Sequence, residues 1–164
     1  MIHAIDVAIS QLGVSEASGN NDGVPAERYM RGDELAWCAG FVLWCFMMSD
    51  DDPVWEDYDQ STVNDERMYW ELRAVSTLMK WAHRREVFIE ANVIPARNDV
   101  IFYGSRTGSD AGRGKHVGLV ESVDATHIHT VEGNFGDKVT RRSIPIGFPE
   151  IAGYARFTLS APAV

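Results

Sequence analysis

The periodicity of the chain changes once, near residue 87, and that change restricts the fold more than any other feature of the sequence. Upstream, apolar residues recur every three or four positions: Ile2, Ile5, Ile9 and Leu12 before Gly13, then Cys38, Phe41, Val42 and Cys45, then Met68, Leu72, Val75, Leu78, Met79 and Ala82. Such spacing lines one face of an α-helix, so helices are expected over 2–12, from about residue 38, and over 65–82, with a short one over 26–30. Downstream the apolar runs are brief and separated by turn residues, which predicts strands at 87–89, 99–103, 116–123, 126–132, 139–143 and 153–157. Helices first and strands second define an α+β fold, with N-terminal helices packed on a C-terminal antiparallel sheet.

Length and charge set the remaining limits. A chain of 164 residues without a repeat or a linker is read as one domain, 1–164. The formal net charge of −9 repels polyanions, so nucleic acid is not an expected partner. No run of about 18 uncharged apolar residues exists, so no membrane insertion is expected. Met1-Ile2-His3-Ala4 carries no basic export signal, and synthesis in a reducing cytoplasm is expected. Ser18 to Pro25 reads as a polar turn, its alternative being a set of calcium ligands. The acidic run Ser49 to Asp59 reads as a solvated loop, with capture of a divalent cation as its alternative, and Ser105 to Gly114 as a polar, glycine-rich loop. No cofactor or metal is expected.

Cys38 stands at the start of its apolar run, just after Arg31-Gly32-Asp33-Glu34. At a helix N-terminus the backbone N–H groups are unpaired and the dipole is positive, which favours a sulfur anion. Asp33 and Glu34 oppose that, so a cationic partner is required. Cys45 lies two turns further on, roughly 10 Å of helix rise, whereas a disulfide needs Cα atoms within about 7 Å. Cys45 is therefore read as a small core residue. A metal or redox module built from the cysteines and histidines is the alternative, but their interval is not a common zinc spacing.

Of the five histidines, His116 is best placed to be a base, at the mouth of its strand directly after the glycine-rich loop. His127 and His129 share one face of the next strand and read as its polar side. That strand ends in Glu132-Gly133-Asn134, where a carboxylate or an amide can accept a hydrogen bond from the His116 ring. Nucleophile, base and orienting group are the three parts of a covalent hydrolase. His83, in the basic tail of its helix, is not a candidate.

Five segments, Gln11 to Glu16, Trp37 to Val42, Asn98 to Tyr103, Lys115 to Val120 and Glu132 to Asn134, together resemble the CHAP family. The most specific are Trp37-Cys38-Ala39-Gly40-Phe41 and Gly114-Lys115-His116-Val117-Gly118. The resemblance spans most of the chain apart from about residues 50–85. It implies a cysteine, histidine-dependent amidohydrolase or peptidase with a papain-like fold, in which Cys38 is the nucleophile, His116 the base and Glu132 the orienting group, with Asn134 assisting. It further implies that bacterial peptidoglycan is the substrate, cut through a thioester. The expected setting is a monomeric phage endolysin without a separate wall-binding domain, made in the host cytoplasm, released by a holin and acting on the envelope. An interbacterial amidase toxin and a catalytically inactive wall-binding domain are the alternatives.

Overall fold

The computed structural model describes residues 1–51, 72–105 and 113–157. Among the described residues, four helices, α1 (Ala4–Ser10), α2 (Val24–Tyr29), α3 (Cys38–Met47) and α4 (Val75–Arg84), precede six strands. The strands are β1 (Phe88–Glu90), β2 (Val100–Ser105), β3 (Arg113–Val123), β4 (His127–Glu132), β5 (Thr140–Pro145) and β6 (Ile151–Ala155). They form one antiparallel sheet in the order β1-β6-β2-β3-β4-β5, which puts β3 between β2 and β4. The α+β fold read from the periodicity is the one observed.

α3 is the hub of the helical layer. Apolar all round, it has no solvent face to present and is buried from Cys38 to Phe46 except at Trp44. It packs against α1, α2, α4 and β3. Its close seat on α2 requires Gly40, where a Cβ would stand 2.5 Å from the Met30 sulfur and 2.8 Å from the Tyr29 carbonyl oxygen. α1 buries Ala4, Ile5 and Ala8, with Ile9 and Leu12 half-buried. Ile2 precedes the first turn and is exposed, so it does not belong to that face.

Three expected boundaries move. The helix anticipated over 65–82 runs from Val75 to Arg84, because Ala74 is extended (φ −95°, ψ 129°) and interrupts the helical path; positions 65–71 lie outside the described residues. The strand expected from His116 begins at Arg113, so His116 sits within the ladder opposite Tyr103 and not at a strand mouth. A bulge beyond that pair leaves Lys115 unmatched before Gly104 meets Gly114. Of the loop expected at 105–114, positions 106–112 lie outside the described residues, whereas Arg113 and Gly114 are strand.

The acidic run after α3 is not simply solvated. Asp51 is buried and accepts hydrogen bonds from the His3 ring Nδ1 (2.8 Å), the Ala4 N–H (3.2 Å) and the Asn98 amide (2.8 Å), which fastens α1 to the sheet. The rest of that run, from Asp52, lies outside the described residues. In the Ser18–Pro25 turn, the Asp22 carboxylate accepts the Ser18 N–H (2.9 Å) and hydroxyl (2.7 Å).

Alternation along the strands divides the sheet's side chains. Val100, Phe102, Val117, Leu119, Val131 and Ala155 join the four described helices in the main core. Ile101, Tyr103, Val120, Ile128, Ile144, Ile151 and Tyr154 form a second buried cluster. His127 and His129 are half-exposed on β4, hydrogen-bonded to Thr126 and Asp124, as a polar strand face requires.

Candidate active site

Cys38 is the first residue of α3 and retains 7% of its surface. The approach to it is a tight turn, with Arg31 and Gly32 both at positive φ (52° and 96°). The carboxylate of Asp33, which by itself would oppose an anion on the sulfur, is paired with Arg73 at 2.7 Å. Cys45 is fully buried, and burial pushes its thiol well above the ordinary range, which suits a core residue and not a nucleophile.

β3 brings His116 to the start of α3. Burial lowers the proton affinity of its ring, but interaction with Cys38 and with Glu132 outweighs that and holds the imidazole up at about 9. Its Nε2 lies 2.8 Å from Glu132 Oε2. The Tyr103 ring flanks it at 5.7 Å and that of Phe135 at 6.0 Å.

Glu132 ends β4 and has no exposed surface. An isolated buried carboxylate would be driven neutral, but this one receives four hydrogen bonds. Tyr103 Oη donates to Oε1 at 2.6 Å and Thr130 Oγ1 at 2.7 Å, while His116 Nε2 (2.8 Å) and Arg142 Nη1 (2.9 Å) share Oε2. Burial raises its proton affinity, yet the bonds and the charge of His116, with those from Tyr103 and Thr130, bring it below the ordinary carboxylate value. In turn, burial and the Glu132 charge push the Tyr103 hydroxyl far upward, so it stays a donor. The space for this carboxylate is supplied by Gly118, whose added Cβ would stand 2.5 Å from Glu132 Cγ.

Asn134 directs its amide to Glu16 and Trp37 and not to the His116 ring. It sits in the left-handed region (φ 57°), and its amide, with nitrogen and oxygen assigned by what they face, donates to Glu16 Oε1 (3.2 Å) and accepts the Trp37 backbone N–H (3.2 Å). Glu16 also accepts the Trp37 indole N–H at 2.7 Å and the Asn21 N–H at 2.8 Å. Asn134 and Glu16 therefore brace the residue immediately before the cysteine. The physical reason is the backbone reversal after Glu132, which turns the next polar side chain toward α3.

Of the predicted residues, Cys38, His116 and Glu132 come together and Asn134 borders them through Trp37. Tyr103, Thr130, Arg142 and Glu16 belong to the same constellation and were not singled out from the sequence. Thr130 lies two positions before Glu132 on the same strand face, a signal that alternation alone carries. Arg142 depends on the β4–β5 register, in which it pairs with Thr130. Among the described residues, no three histidine, cysteine, aspartate or glutamate side chains are grouped as a metal would need.

A thiol at a helix start, an imidazole held between it and a buried carboxylate, and helices laid on an antiparallel sheet define a cysteine–histidine α+β protein. The chain belongs to the CHAP family, whose domain model matches residues 30–134. Two crystal structures of Ly7917 are similar in fold, each with a TM-score of 0.50 and 16% identity, one of them described as holding the hydrolyzing product of MDP. The alignments cover 92% and 93% of this chain, which spans 60% of the length of those structures. No curated protein matches the chain in sequence.

Proposed function

We propose that the protein hydrolyses an amide bond in the peptide part of bacterial peptidoglycan, as a cysteine-dependent amidase or endopeptidase. The observation that carries this is His116 held between Cys38 and the buried Glu132. CHAP membership and the fold shared with Ly7917, described with the hydrolyzing product of MDP, support the substrate class.

In the proposed reaction the Cys38 sulfur attacks the amide carbonyl carbon while the imidazolium of His116 retains the proton. The carbonyl oxygen, now negative, is stabilised by the positive end of the α3 dipole and by the backbone N–H of Cys38. Collapse of the adduct breaks the C–N bond, and His116 passes its proton to the departing amine. A thioester remains. His116 then takes a proton from water, whose oxygen attacks the thioester, and the acid leaves as the sulfur is released. Glu132 keeps the imidazole in one orientation throughout and balances its charge.

The setting we propose is phage-directed lysis, with the protein made in the host cytoplasm and reaching the wall through a membrane-permeabilising partner. Turbidity of a purified wall suspension tests the activity: the wild type is expected to clear it, and Cys38→Ala and His116→Ala are expected to stay folded by circular dichroism and leave it turbid. Clearing by Cys38→Ala at the wild-type rate refutes the assignment. Mass spectrometry of the released fragments then names the bond.

A further inference from the structure

Glu132 does not serve His116 alone. Two nitrogens, His116 Nε2 at 2.8 Å and Arg142 Nη1 at 2.9 Å, bond to the same carboxylate oxygen, and the other oxygen is saturated by Tyr103 and Thr130. The guanidinium is fixed from the side by aromatic rings, its central carbon 4.0 Å from the centre of Phe135 and 5.3 Å from that of Tyr103. Arg142 is on β5, outside the 30–134 span of the family match.

A carboxylate holding one imidazolium and nothing else binds its proton tightly, and a proton bound too tightly is given up slowly to a departing amine. A permanent cation on the same oxygen weakens that hold in two ways. It competes for the lone pairs facing the ring, and it repels the positive charge of the protonated imidazole. Arginine stays charged across the working pH range, so the effect does not switch off.

We infer that Arg142 is a positioning residue that acts through Glu132, dividing the carboxylate between itself and His116 so that the imidazole can release its proton. The inference rests on the proposed reading of His116 as the proton carrier. Among the described residues, the titratable and charged groups around the ring are Cys38 from α3, Tyr103 from β2, Glu132 from β4 and, across the carboxylate, Arg142 from β5.

The test is an NMR titration of the His116 ring in the full chain, compared among wild type, Arg142→Gln and Arg142→Lys, with wall clearing measured in parallel. Removing the cation is expected to raise the midpoint of His116 by about one unit in Arg142→Gln. Lysine keeps the charge but not the planar fork, and its midpoint is expected between the other two. A midpoint in Arg142→Gln that is unchanged or lower overturns the inference; should that variant not fold, a midpoint in Arg142→Lys at or below wild type does the same. Because the titration needs no substrate, it stands or falls separately from the hydrolase reading, which wild-type wall clearing decides.

Discussion

Gly118→Ala is the sharpest probe of how the carboxylate is placed. Gly118 does not have positive φ, so alanine fits the backbone, and only space is at issue. The new Cβ would stand 2.5 Å from Glu132 Cγ, 3.3 Å from its Cδ and 3.2 Å from the Val131 carbonyl oxygen. Carbon atoms pack at about 3.5–4.0 Å, so the Glu132 side chain has to retreat by about 1 Å. Its bond to His116, now 2.8 Å, cannot survive that retreat, and the three other donors lose their geometry with it. Overpacking of this kind costs about 1–3 kcal/mol, and a catalytic group displaced by 1 Å costs about 10²-fold in rate. Urea unfolding measures the first and the initial rate of wall clearing the second. An alanine variant with wild-type rate and stability would show that Glu132 is not wedged against β3 and that its contact with His116 is dispensable.

Stability is expected to depend on His116 across the alkaline range. Its folded value of about 9 lies above the ordinary 6.5, so its contribution is complete below about 6.5, declines as pH rises, and is gone above about 9. The urea midpoint of the wild type should therefore fall over that window more steeply than that of His116→Gln, and parallel curves would contradict the shift. Asn134→Gly keeps the left-handed backbone and removes only the amide. It is expected to leave the His116 titration in place while weakening the protein at the start of α3, whereas Glu132→Gln is expected to lower the His116 midpoint by about one unit or more. Equal shifts in the two variants would restore Asn134 as the orienter of the ring.

Much of the site was legible because its parts are local. Cys38 at a helix start follows from the apolar spacing after a charged turn, and Glu132 at a strand end follows from hairpin alternation. What escaped depended on long-range register. The sequence near Ser105–Gly114 reads as loop, yet Arg113 and Gly114 pair with β2 through a bulge, which carries His116 into the ladder. Glycines there supply close approach as well as turns, and composition does not separate the two uses. Arg142 looks like one more charge on a surface strand until β5 is set against β4. The direction of the Asn134 side chain, toward Glu16 and Trp37, is not legible because two residues beyond a strand end the alternation no longer says where a side chain points. The helix expected over 65–82 is interrupted at Ala74, an exposed residue of high helix propensity, so intrinsic preference does not set the boundary there.

β3 carries two duties on alternate residues: Val117 and Leu119 fill the space beneath the helices, while His116 and Gly118 serve the carboxylate. A strand with period two cannot gain or lose a single residue without exchanging those roles along its length. Loops around such a strand are free to lengthen or shorten as a lineage diverges, but a one-codon insertion between 116 and 119 would send the imidazole into the hydrocarbon and a valine into the chemistry. Change in this protein is therefore expected to accumulate by substitution along β3 and by length variation only beyond its ends.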